Sequence, residues 1–192
     1  LDDKTIVRFG LGYAPDDGQA LYQYLRDKGY NRQELDASGL FKRSQSGRVY
    51  CLFWRRVMTP IFDLRGNIIA FGGRVLDDSK PKYVNSPETL VYHKSGTVFA
   101  LQIAKRSASR RFVLCEGYMD VISMHQAGID TAVCACGTAL TPDQVRLISE
   151  YADEVILSYD SDEAGQKATL RSLEMFRNSP VKVGVLQIPG AK

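Results

Sequence analysis

Along the second half of the chain, short apolar runs alternate with segments whose apolar positions recur at helical spacing. The runs Phe112 to Glu116, Thr131 to Ala135, Glu154 to Asp160 and Val181 to Ile188 have strand length. Between them the spacing predicts helices over about 118 to 127, 142 to 151 and 163 to 177. The second of these opens on Thr141-Pro142, a capping residue followed by proline at the first helical position. Strands and helices in this alternation predict a parallel sheet covered by helices, whose ligands meet the loops at the carboxyl ends of the strands.

The first half is patterned differently. Residues 1 to about 47 read as a small helical piece: Ala20, Leu21, Tyr24 and Leu25 share one helical face after Asp16-Asp17-Gly18, and Asn31 followed by Glu34 is the signature of a second helix start. From about Arg48 to Val75 the runs are rich in Val, Ile and Phe and predict sheet, broken by a hairpin turn at Arg65-Gly66-Asn67. Asp77 to Pro81 reads as a loop and Ser107 to Arg111 as a polar connector. The predicted fold class is α/β, with an α+β amino-terminal subdomain over 1–110 and a parallel sheet with flanking helices over 111–192. There is no internal repeat and no low-complexity tract.

Composition sharpens this division. The 192 residues, 44% of them hydrophobic, suffice for a real core, and no apolar run approaches the length of a membrane span. Without a secretory start, the expectation is a soluble, cytoplasmic protein. Cys51, Cys115, Cys134 and Cys136 contain no C-x-x-C pair, and with His93 and His125 they form no zinc-ribbon pattern, so reduced, buried thiols are expected and no zinc. The net charge of +3 hides an asymmetry: residues 1 to 111 carry 19 Lys/Arg against 11 Asp/Glu, whereas residues 112 to 192 carry 6 against 11. Arg55, Arg56, Arg74, Lys80, Lys82 and Lys94 are candidates for an electrostatic footprint on a polyanion, though an ordinary solvated surface would look the same in composition.

The position of the acids says more than their number. Glu116 closes the first predicted strand of the second half, Asp160 closes the third, and Asp162 follows two residues later. In a parallel sheet these carboxylates converge on one edge, an arrangement that is unfavourable unless cations neutralise it. Oxygen ligands without Cys or His suit Mg2+, or Mn2+ in its place. Each acid has a plainer alternative: Asp160 or Asp162 could cap the next helix, and Glu116 could be an exposed strand end. The spacing does not fit an EF-hand, because Ala164 stands at a ligand position and Arg171 where the closing Glu belongs.

A Glu ending one strand and a D-x-D ending another resembles the toprim module of bacterial primases, topoisomerases, some nucleases and recombination mediators. Gly117 and Gly165 match the close turns beside those acids. The longer wording, Glu116-Gly117-Tyr118-Met119-Asp120 with Gly137-Thr138-Ala139-Leu140-Thr141, resembles the DnaG-type primase. So do Arg8-Phe9-Gly10-Leu11-Gly12-Tyr13-Ala14-Pro15, Phe71-Gly72-Gly73-Arg74-Val75, Pro81 to Thr89 and His93-Lys94, in a consistent order over nearly the whole chain.

This resemblance implies a basic subdomain followed by a toprim-type, Rossmann-like sheet, with a shallow cleft for template and nucleotide. It implies template-directed synthesis of RNA primers on single-stranded DNA from ribonucleoside triphosphates, with a replicative helicase as partner through a further domain. Glu116, Asp160 and Asp162 would be the catalytic and metal-binding acids, and Asp120 an additional ligand. Arg74, Lys82, Tyr83, Asn85, Lys94 and Arg55 would contact nucleotide or nucleic acid, while Tyr118 would pack rather than react. The chain departs from the family at Ser161, where glycine is usual. It also stops at Pro189-Gly190-Ala191-Lys192, before a further Asp-Pro-Asp, and lacks the family's zinc-ribbon and helicase-binding domains, as an excised fragment with weak activity would. A toprim-type nuclease and a non-catalytic single-stranded nucleic-acid-binding module remain the alternatives.

Overall fold

The computed structural model describes residues 1–137 and 139–186. The expected strand residues 187 and 188, Thr138 and the terminal Pro189 to Lys192 lie outside them. By compactness the chain forms two units, one of residues 1–6, 62–67 and 94–192, the other of residues 7–61 and 68–93.

In chain order, the elements up to residue 85 are α1 (Asp3–Phe9), β1 (Gly12–Ala14), α2 (Ala20–Asp27), α3 (Arg32–Ala37), β2 (Phe41–Arg43), β3 (Val49–Cys51), β4 (Arg56–Phe62), β5 (Ile68–Val75) and β6 (Tyr83–Asn85). Strands β1, β4, β5 and β6 form a four-stranded sheet in that order, and β2 pairs with β3 as a separate two-stranded ribbon. Helix α3 starts as its sequence signature predicts. Asn31 accepts from the Glu34 amide at 3.0 Å, and the Glu34 carboxylate accepts from the Asn31 amide at 2.7 Å. The turn between β4 and β5 is organised by Asp63, whose carboxylate accepts from the amides of Arg65 and Asn67 and from the Asn67 side chain, all at 2.8 Å. Those bonds, the Asn67 side-chain bond foremost, hold the Asp63 carboxyl below its ordinary value. The purely helical reading of residues 1 to 47 needs correction, because β1 and β2 lie there. Each is three residues long, too short to impress an alternating pattern on the sequence.

The larger unit continues with a 3-10 turn at Lys94–Gly96, β7 (Val98–Phe99), α4 (Leu101–Ala104), β8 (Arg111–Cys115), α5 (Tyr118–Gln126), β9 (Ala132–Ala135), α6 (Pro142–Ser149), β10 (Glu154–Ser158), α7 (Glu163–Phe176) and β11 (Lys182–Val185). The sheet order is β11-β10-β8-β9-β7, parallel except for β7. The expected strand-helix alternation is present, and the three predicted helices match α5, α6 and α7 within about two residues.

Parallel pairing places same-facing residues side by side: Val155 is level with Phe112, Leu157 with Leu114, and Leu114 with Val133. These side chains form the core together with Val145 and Ile148 of α6 and Phe176 of α7. Each such side chain, fully buried, stabilises the fold by about 1.5–3 kcal/mol before entropy is counted. The edge strand β7 and helix α4 were not foreseen. Val98, Phe99, Leu101 and Ala104 of these elements are nonetheless almost fully buried. No helix among the described residues is long and apolar enough to cross a membrane.

Candidate functional site

Strands β8 and β10 are neighbours, with Cys115 level with Ser158, so the residues that follow them leave the sheet together at its carboxyl edge. Glu116 is the first of these on β8, and its Oε2 accepts from the Asp160 amide at 3.3 Å. The two acids are therefore adjacent, and both side chains are exposed.

The other two acids of the set are partly committed to the backbone. Asp162 is the N-cap of α7, its Oδ1 accepting from the Gly165 amide at 2.8 Å. Asp120 folds back onto the start of α5, where its Oδ2 accepts from the Gly117 amide at 3.0 Å. Among the described residues none of the four acids has an ion pair, and no group of three or more candidate ligands is gathered closely enough to hold a metal as the side chains stand. The donor set still fits a hard divalent cation in kind: carboxylate oxygens only, exposed, and not paired with a cation of the described residues.

Gly165 explains how closely the loop and helix approach. A Cβ at this position would stand 2.0 Å from the Asp160 carbonyl oxygen, so the loop carrying Asp160 and Asp162 rests directly on the first turn of α7. The cysteines near the edge are not nucleophiles. Cys115, Cys134 and Cys136 are buried, and burial pushes the Cys115 thiol up to about 12 and the Cys134 thiol well above its ordinary value. Tyr118 packs, with its ring 4.9 Å from that of Phe99 in an edge-to-face arrangement.

The nucleic-acid candidates divide between the units. Lys94 belongs to the unit with the acids, on the 3-10 turn before β7. Arg55, Arg74, Lys82, Tyr83 and Asn85 belong to the other. There Arg74 and Tyr83 are cross-strand partners on β5 and β6, and the Arg74 guanidinium lies over the Tyr83 ring at 5.7 Å. Arg55 is exposed, its backbone in the left-handed region at φ 50°, with Asp16 and Asp77 each at 3.9 Å.

Arg56 leaves the predicted footprint. It is only 5% exposed, and its guanidinium donates to the carbonyls of Pro81 at 2.9 Å and of Gly73 and Lys82 at 3.3 Å. It therefore holds β5 against the chain entering β6, on the Gly73 side of the strand, opposite to Arg74. Burial pulls its guanidinium below the ordinary arginine value. Nothing in the sequence distinguishes it from Arg55 beside it. Arg56→Met is expected to destabilise the protein by about 2–3 kcal/mol, because three carbonyls lose their donor while the cost of burying the charge is only partly recovered. Chemical denaturation would measure this, and an unchanged midpoint would mean that water replaces the guanidinium.

Comparison with known proteins shows the family. Residues 1–105 match the family model for the DNA primase catalytic core, N-terminal domain, and residues 113–192 match a Toprim-like model. The DNA primase of Clostridium acetobutylicum is 46% identical over the whole chain, which covers 32% of that protein. The Escherichia coli DNA primase is 40% identical over 91% of the chain, covering 30% of its own length. The chain thus spans about a third of these relatives. Among solved structures, the E. coli primase catalytic core superposes with a TM-score of 0.91 at 37% identity, over all of this chain and 63% of that one. A DnaG primase catalytic domain bound to single-stranded DNA gives 0.90 at 36%, over all of this chain and 64% of that one. With matched models over both halves and whole-chain similarity in sequence and fold, this chain belongs to the DnaG-type DNA primase family, within its catalytic core.

Proposed function

We propose that this chain carries out template-directed synthesis of short RNA primers on single-stranded DNA by nucleotidyl transfer from ribonucleoside triphosphates. The observation that carries the reading is the pair Glu116 and Asp160, side by side at the ends of neighbouring strands and without an ion pair among the described residues, in a chain of the primase family. On this reading residues 1–110 form the basic subdomain and residues 111–192 the toprim domain. The RNA primer, held at the site where it grows, and a replicative helicase would complete the set of partners.

Glu116, Asp160 and Asp162 would hold a divalent cation, Mg2+ or Mn2+, with Asp120 as a further ligand. Such a cation supplies charge stabilisation to the triphosphate and acidifies a coordinated hydroxyl. Asp162 can keep its cap while Oδ2 stays available, and Asp120 can likewise keep its bond from the Gly117 amide while Oδ1 stays available. Arg74, Lys82 and Lys94 would bind phosphate oxygens and offset the charge that develops there, with Tyr83, Asn85 and Arg55 contributing to the same binding. Contacts of this kind position a strand without reading its sequence.

The test is incorporation of labelled ribonucleotides on a single-stranded DNA template with Mg2+ or Mn2+. Template-dependent RNA is the expected product. Cut DNA in its place would identify a nuclease that uses the same acids. Salt-dependent DNA binding with neither product would favour a binding module, a reading to which the capping bonds of Asp162 and Asp120 lend some weight.

A further inference from the structure

Gln144 has no part in the mechanism above, yet it is fully buried. Its Oε1 accepts from the Thr141 amide at 3.1 Å, closing the start of α6, and its Nε2 donates to the carbonyls of Lys94 at 2.9 Å and Thr97 at 2.8 Å. Thr141 adds a hydroxyl bond to the carbonyl of Ser95. One glutamine and one threonine thus hold the backbone of the whole turn that carries Lys94. A glutamine suits the place because it both donates twice and accepts, as a glutamate or a leucine of similar size does not.

The sheet register shows where this turn lies. Strand β7 runs antiparallel to β9 with Val98 level with Ala135, so the residues before Val98 continue past the carboxyl end of β9. Strand β8 ends at the same level, with Cys115 opposite Cys134. The Lys94 turn and Glu116 therefore share the carboxyl edge of the sheet: Val98 is level with Glu116 at two strand spacings, about 10 Å, and Lys94 stands four residues before Val98 beyond that edge. A flexible four-carbon lysine stem reaches several ångströms from its backbone, and where its ammonium can go is set by how that backbone is held. Fully satisfied buried polar networks of this kind hold a backbone rigidly.

We propose that Gln144 is a positioning residue for nucleotide binding: clamped with Thr141 to the 94–97 turn, it fixes Lys94 beside the acid edge so that the ammonium meets the triphosphate of the incoming nucleotide. This rests on the nucleotidyl-transfer reading and deepens it. Gln144 touches no substrate, and its influence passes through Lys94.

The experiment compares the wild-type chain with Gln144→Met, Thr141→Val, Lys94→Ala and the Gln144→Met/Lys94→Ala double variant. Each is measured for ATP affinity with Mg2+ by calorimetry, for KM and kcat in ribonucleotide incorporation, and for thermal midpoint. Gln144→Met is expected to raise both the Kd for ATP and the KM about five- to tenfold, the equivalent of one charged contact misplaced, while kcat changes about twofold or less. Thr141→Val shifts the same quantities in the same direction by less and serves if Gln144→Met does not fold. The double variant is no weaker for ATP than Lys94→Ala alone. Wild-type ATP affinity in both Gln144→Met and Thr141→Val would overturn the proposal, as would additive losses in the double variant, which would mark Gln144 as merely structural. Undiminished ATP binding by Lys94→Ala, or none by the wild type, would overturn it as well. Incorporation decides the wider reading separately: unchanged ATP affinity with intact incorporation removes only the role of Gln144, whereas no template-dependent RNA from the wild type removes the polymerase reading.

Discussion

Asp160→Ala is expected to lower ribonucleotide incorporation by about a hundredfold or more while leaving the thermal midpoint unchanged or slightly raised. Its carboxylate is exposed and makes no hydrogen bond or ion pair among the described residues. What ties residue 160 to its neighbour is its backbone amide, which donates to Glu116 and survives the substitution. Removing one of two adjacent unneutralised acids relieves repulsion, so any change in stability should be upward. Activity and unfolding measured on the same sample separate the two roles. A midpoint several degrees lower would show that Asp160 serves the fold, and incorporation at the wild-type rate would remove it from the catalytic set.

Gly165→Ala should be the more damaging change, although it removes no functional group. The added methyl would lie 2.0 Å from the carbonyl oxygen of Asp160 and 2.7 Å from its carbonyl carbon. Both are backbone atoms, so no side-chain rotation relieves the clash. Either α7 shifts away or the Asp160 loop moves, and with it goes the bond from the Gly165 amide to Asp162. Overpacking and a lost cap together predict a destabilisation of about 2–4 kcal/mol. Incorporation should fall at least as far as in Asp160→Ala, because all the acids of the loop are displaced together. A soluble, folded Gly165→Ala protein with normal incorporation would show that the loop tolerates a shift of more than an ångström, and that the acid edge is not the catalytic centre.

Local signals were readable in the sequence wherever local physics decides the outcome. The capping box at Asn31 and the N-cap at Thr141 form as the sequence predicts, and the four parallel strands lie where the apolar runs predict. The acids could be placed at the strand ends for the same reason, since the ends of a parallel sheet follow from its strands. Tertiary pairing was not readable. Val98–Phe99 is a strand only because β9 lies beside it, and two residues carry no period. Arg56 and Gln144 look like solvated polar residues in sequence, but backbone carbonyls from distant segments converge on them and draw them inside. The nucleotide-binding candidates Arg74, Lys82, Tyr83, Asn85 and Lys94 were selected by resemblance, because no spacing rule singles them out. Of these, Arg74 and Tyr83 are in mutual contact.

The antiparallel edge strand has a practical consequence for dissecting this protein. A piece beginning at Phe112 would retain every parallel strand, yet it would strip β7 from β9 and take Leu101 and Ala104 from the core. Strand β9, buried along most of its length, would then present open amides and carbonyls beside an apolar face. Bare edges of that kind template pairing with other molecules, so such a piece should self-associate, whereas one beginning at Lys94 keeps its own protective strand.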